Sequence, residues 1–137
     1  MITKKYLDEL TYEIIGAAIE VHKAIGPGLL ESVYHKCMVH ELELRGINFQ
    51  SEQYIELNYK GLNVAADLRC DLLVENAIVV ELKSAKEIDP IHEAILLTYM
   101  KLLEKPKGLM INFNVTNIFS EGQKTYVNEF FRDLPDH

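Results

Sequence analysis

Arg69-Cys70-Asp71-Leu72-Leu73-Val74 is followed, ten residues from Asp71 to Glu81, by Ile78-Val79-Val80-Glu81-Leu82-Lys83. Each segment reads as an apolar strand that carries charge. Burying an isolated charge is costly, so a strand of this kind keeps an Asp, a Glu and a Lys only where they are used. An Asp on one strand and Glu-x-Lys on the next is an arrangement that can hold a divalent cation against a phosphate. The carboxylates are hard oxygen donors suited to Mg²⁺ or Mn²⁺. The ammonium can steady a hydroxide or the charge that develops at phosphorus.

The spacing makes a geometric demand. Glu81 and Lys83 share a face of their strand, about 6.5–7 Å apart along the chain. Residues directly opposite in an antiparallel pair also share a face. A two-residue loop at Glu75-Asn76 would pair Asp71 with Val80 and place the two carboxylates on opposite faces. A three-residue loop, Glu75-Asn76-Ala77, pairs Val74 with Ile78 and Asp71 with Glu81. The expectation is therefore an odd-length loop or a β-bulge, with Asn76 in the left-handed region.

Working outward, Leu7, Leu10, Ile14, Ala18, Val21 and Ile25 recur at helical steps, and Gly26-Pro27-Gly28 ends that helix. A second helix is expected from about Leu30 to Arg45, stopped by Gly46. Tyr54–Tyr59 alternates and reads as a strand, turned by Lys60-Gly61 into the Asp71 strand. Asp89-Pro90 opens a helix that runs to about Leu103, with Asp89 as N-cap and Pro90 at the first helical position. Gly108–Phe113 is a short apolar strand, which Val115–Phe119 extends or follows, and Lys124–Phe131 fits strand or helix. The order α-α-β-β-β-α-β predicts one α/β (α+β) domain over residues 1–137, a mixed central sheet flanked by helices.

The bulk properties bound the function. Nearly half of the 137 residues are apolar, which supports a core without staples. Cys37 and Cys70 form no CxxC pair and no histidines cluster, which argues against a disulfide scaffold or a zinc site. Met1-Ile2-Thr3-Lys4-Lys5 is basic, but Tyr6-Leu7-Asp8-Glu9 follows where a signal peptide needs apolar residues, and no run approaches the ~20 apolar residues of a membrane span. The expected location is the cytoplasm. The net charge of −7 argues against a general polyanion binder, although carboxylates gathered for a cation add to it. The lysines at 83/86 and 101/105/107 read as solvated side chains rather than a basic rim. His22, beside the first apolar stripe, reads as a hydrogen-bonded core residue. His92 lies on the stripe of Ile95 and Tyr99 and reads equally as a site neighbour or a partly exposed helix-start residue.

Gly28-Leu29-Leu30-Glu31-Ser32-Val33-Tyr34 has the signals of a helix start, with Tyr34 in the core and Glu31 three residues before it on the same side. Gly28-x-x-Glu31-x-x-Tyr34 also resembles the motif that names the GxxExxY proteins. Gly16–His22, Gly26–Tyr34, Asp71–Val74, Val80–Lys83, His92-Glu93-Ala94 and Leu109–Asn114 are similar to that family as well, so the resemblance spans nearly the whole chain. The family is grouped with the PD-(D/E)xK nucleases, whose restriction-endonuclease-like core is α-β-β-β-α-β. The resemblance implies an active-site set of Asp71, Glu81 and Lys83 with Glu31 as a helical acidic partner. It implies Asp71, Glu81 and Glu31 as ligands of Mg²⁺ or Mn²⁺, and Tyr99 as a matching helix tyrosine. It departs at one position. Members commonly carry Gln four residues before that tyrosine, and here Ile95-Leu96-Leu97-Thr98-Tyr99 removes an amide that would lie near the phosphate or the attacking water.

The leading expectation is a metal-dependent nuclease acting on nucleic acid, DNA or RNA. The competing class is a catalytically inactive module that uses the same fold for binding or assembly, which the acidic charge and Ile95 favour. A structural dimer with no nucleic-acid role is a third reading, and a homodimer fits any of them.

Overall fold

The computed structural model describes residues 1–137. Helix α1 (Lys4–Ile25) begins where the Thr3 hydroxyl accepts a hydrogen bond from the Tyr6 N–H at 3.0 Å and ends at Gly26, whose φ of 73° suits glycine. Helix α2 (Glu31–Leu44) buries Tyr34, Met38 and Leu42 at four-residue steps. Both pack on one face of a five-stranded sheet made of β1 (Phe49–Tyr54), β4 (Arg69–Val74), β5 (Ile78–Lys83), β6 (Lys107–Asn112) and β7 (Gln123–Val127), in that spatial order. Helix α3 (Pro90–Leu102) covers the other face and carries the chain from β5 to the parallel strand β6; the remaining pairs are antiparallel.

The result is a mixed α/β sheet between two helical layers, as the sequence predicts. Its alternation is direct. Leu72, Val74, Ile78, Val80, Leu82, Leu109 and Ile111 face α1 and α2 in a cluster of 21 buried residues. Cys70, Leu73, Val79 and Met110 face Leu96 and Met100 of α3. Gly108 permits this second contact, because a Cβ there would lie 2.5 Å from the Met100 sulfur. His22 is hydrogen-bonded to the Val115 carbonyl at 2.8 Å, as expected of a core-edge histidine. No helix is long and apolar enough to cross a membrane.

Four expectations fail. The strand expected over Tyr54–Tyr59 is two pieces, the end of β1 and the short β2 (Leu57–Tyr59), which pairs with β3 (Leu62–Val64) as a separate hairpin. Ile55 breaks the run: it turns inward beneath α3, 3% exposed, and its N–H bonds the Leu68 carbonyl at 2.9 Å. Lys60-Gly61 thus turns β2 into β3, not into the Asp71 strand. Val115–Phe119 is a loop and the start of the one-turn α4 (Ile118–Glu121), capped by the Asn117 side chain; β7 and a short α5 (Glu129–Arg132) complete the chain. Lys107 is not a solvated lysine: its side chain is buried and paired with Asp8 at 2.8 Å.

Candidate active site

The β4–β5 turn sets the site. Val74 pairs with Ile78, Leu73 with Val79 and Leu72 with Val80, so three residues separate the strands. Glu75 (φ 51°) and Asn76 (φ 52°) both take the left-handed conformation, the Ala77 N–H closes the turn on the Val74 carbonyl, and Ala77 is the extra residue that shifts the register. Regular pairing stops before Asp71. On its other side, β1 and β4 pair from Phe49–Val74 to Ser51–Leu72 and again at Gln53–Cys70 and Tyr54–Arg69, leaving Glu52 and Asp71 unpaired between. Glu52 has φ 52°, a strained value for a non-glycine residue. The interruption frees Asp71 to turn its side chain toward β5, where its Oδ2 accepts the Leu82 N–H at 2.7 Å. A carboxylate thus occupies the place of a ladder carbonyl.

Asp71, Glu81, Lys83 and Tyr99 line one cavity of about 230 Å³, with Arg69, His92 and Ile95. Glu81 is 7% exposed. Burial first, and then the adjacent Asp71 carboxylate, push its carboxyl up to about 9, with Lys83 opposing. The direction favours the protonated form of Glu81 beside the Asp71 carboxylate. Burial and the charges of Glu81, Cys70 and Asp71 also raise the Tyr99 hydroxyl, which keeps its proton. Burial pushes the Cys70 thiol up to about 12, so it is no nucleophile at neutral pH.

Glu31 lies elsewhere. It is exposed at the start of α2 and lines a neighbouring cavity of about 560 Å³ with Ser32, His35, Lys36, Ser51, Glu52, Asp71 and Leu82. Asp71 is the wall common to both cavities. No group of three or more His, Cys, Asp or Glu side chains stands close enough together to hold a metal ion, so the structure joins Asp71 with Glu81 but does not add Glu31 to the pair. The position of Glu31 follows from Gly28–Tyr34. Gly28 has φ 90°; the Tyr34 ring stacks on Phe113 at 4.3 Å; and the Tyr34 hydroxyl donates to the Gly26 carbonyl and accepts from the Leu29 N–H. The Ser84 hydroxyl, just past Lys83, donates to the Leu29 carbonyl at 2.6 Å and ties this loop to the end of β5.

The structure adds Arg69 to the cavity and places His92 in its wall. Arg69 stands two residues before Asp71 on the same strand, and that period is the available signal. The structure also adds Asn112. Its side chain donates to the Ala85 carbonyl at 2.9 Å and accepts from the Ala85 N–H at 3.1 Å, which fixes the loop that leaves Lys83.

No curated protein and no solved structure matches this chain. The model of the PD-(D/E)XK nuclease superfamily matches residues 8–125, from α1 into β7. That span takes in the β4–β5 pair, its interrupted ladder and the helix that crosses to β6, and the chain belongs to the PD-(D/E)XK nuclease superfamily.

Proposed function

We propose that this protein is a metal-dependent nuclease of the GxxExxY type, hydrolysing phosphodiester bonds at the Asp71–Glu81–Lys83 cavity. The single observation that carries the reading is the crowding of two carboxyls, one of them buried, beside a lysine in one small cavity. Nucleases of this superfamily generally use divalent metals such as Mg²⁺, and the donor set fits one. Asp71 and Glu81 would hold it, and two carboxylates with room left for water and phosphate oxygens is the coordination Mg²⁺ prefers. When bound, such an ion supplies charge neutralisation at the phosphate and makes a nearby water more acidic.

The other roles belong to the chain. The Leu82 N–H holds the Asp71 carboxylate in place. Lys83 orients the attacking water and stabilises negative charge on the transferring phosphoryl group. Tyr99, with its proton retained, donates a hydrogen bond into the same space. Glu31 anchors water or substrate on the far side of Asp71. The protein should cleave DNA or RNA, single- or double-stranded, in Mg²⁺ or Mn²⁺ and stop in EDTA. Failure on all four substrates in both metals would leave the fold as a binding module.

That second reading rests on Ile95, whose side chain meets the cavity where the resemblance expects an amide. Ile95 is 38% exposed, so Ile95→Gln should cost little stability. If a missing amide limits turnover, the substitution should raise the cleavage rate in single-turnover assays. An unchanged rate in a folded variant would make Ile95 a neutral replacement.

A further inference from the structure

We propose that Arg69 and His92 form a phosphate-holding pair in the acid-pair cavity and grip the nucleic-acid backbone beside the scissile bond; this rests on reading that cavity as a nuclease site. Both residues line it with Asp71, Glu81 and Lys83. They come from different elements, the start of β4 and the first turn of α3.

Arg69 is oriented before any ligand arrives. Its Nε donates to Asp67 Oδ1 at 2.9 Å and its Nη2 to Asp67 Oδ2 at 3.0 Å. Its guanidinium carbon lies 4.9 Å from the centroid of the Tyr54 ring. A guanidinium has five N–H groups in a rigid plane. The Asp67 fork uses one edge, and Nη1 makes no hydrogen bond in the protein. Asp67 cancels much of the net charge, so Arg69 serves as an aimed donor rather than as a long-range attractor. In the same cavity stands the Asp71 carboxylate, which would repel a phosphate not met by such donors.

His92 carries the one buried side-chain polar atom of the protein that has no hydrogen-bond partner, Nδ1. Native structures keep few such atoms, and a functional site is one of the places they are kept. With no acceptor for an Nδ1 hydrogen, the tautomer protonated on Nε2 is favoured, since an orphaned donor is the worse case. Nε2 makes no hydrogen bond in the protein and is left to donate to a ligand in the cavity. His92 is the third residue of the 13-residue helix α3, where the helix dipole also favours an anion.

The test is the affinity of a fluorescently labelled mixed-sequence single-stranded DNA, and of its duplex, with Ca²⁺ replacing Mg²⁺ to prevent turnover. Arg69→Ala should weaken binding about tenfold, the scale of one charged hydrogen bond, and lower the salt slope by about 0.7–0.9. Arg69→Lys should not restore it, because the planar fork and its stacking on Tyr54 are lost. His92→Gln, whose amide nitrogen reaches near the Nε2 position, should stay within about threefold of wild type. His92→Asn, whose amide mimics Nδ1, should lose about tenfold. In Mg²⁺ the losses should fall on KM more than on kcat. If Arg69→Ala does not fold, Tyr54→Leu removes the ring beneath the guanidinium and should weaken binding about threefold. Folded Arg69→Ala (or Tyr54→Leu) and His92→Asn with wild-type affinity and KM would overturn the pair while leaving the nuclease reading intact. A wild type that neither binds Mn²⁺ nor cleaves would overturn that reading instead. A wild type that binds no nucleic acid would overturn the pair as well.

Discussion

Lys83→Ala should lower the rate of phosphodiester cleavage on the order of 10²-fold or more, while Mn²⁺ affinity stays within about an order of magnitude of wild type. The large effect follows from its place at the end of β5, beside the acid pair and partly buried. There its positive charge opposes the rise of the Glu81 carboxyl. The side chain has little else to do. It joins none of the ion pairs of the protein, and its backbone carbonyl accepts the Phe113 N–H whatever the side chain. The variant should therefore melt near wild type and lose rate, not fold. A wild-type rate in folded Lys83→Ala would remove this residue from the chemistry.

Glu81→Gln should stabilise the metal-free protein, and by more at pH 8 than at pH 5. Burial and Asp71 raise the Glu81 carboxyl to about 9 from an ordinary value of 4.5. Between those values the folded protein holds a proton that the unfolded chain has released. Stability from this group is complete below about 4.5 and is lost as pH rises toward about 9. The loss is on the order of 2–3 kcal/mol between pH 5 and pH 7. The amide that replaces the carboxyl has no such proton to lose, so melting temperatures measured in EDTA should fall with pH less steeply than those of wild type. At pH 8 the variant should melt several degrees higher. Equal pH slopes would mean that Glu81 is not held protonated against Asp71.

Much of this architecture is legible in the residues. The three long helices show because apolar positions recur at helical steps and because glycine or proline stands at their ends. The β4–β5 pair shows because both strands are central, apolar and interrupted by charge. Parity alone then requires the odd-length loop that Ala77 supplies. Edges are harder to read. β1, Phe49-Gln50-Ser51-Glu52-Gln53-Tyr54, is an edge strand with little apolar alternation, and its break at Glu52 answers to Asp71 rather than to any local pattern. The end of β1 and β2 read as one strand, Tyr54–Tyr59, because Ile55 continues the alternation while its backbone bonds Leu68. The acid pair with its lysine could be named from spacing. The wall opposite is legible only in part: the two-residue step from Asp71 marks Arg69, but its aim is set by Asp67 and Tyr54, and His92 is placed by the docking of α3. The cavity that Glu31 lines depends on the Tyr34 and Ser84 hydrogen bonds to the loop before α2, which no spacing rule specifies.

The central claim is that Asp71 and Glu81 share one divalent cation. Its most direct test is a calorimetric titration of Mn²⁺ into wild type, Asp71→Ala and Glu81→Ala, repeated at pH 7 in buffers of different ionisation enthalpy. Wild type should show one site whose apparent enthalpy depends on the buffer, because Glu81 must release its proton to become a ligand. Both variants should lose the site while remaining folded. Unchanged Mn²⁺ binding in both variants, or wild-type binding with no proton released, would contradict the account.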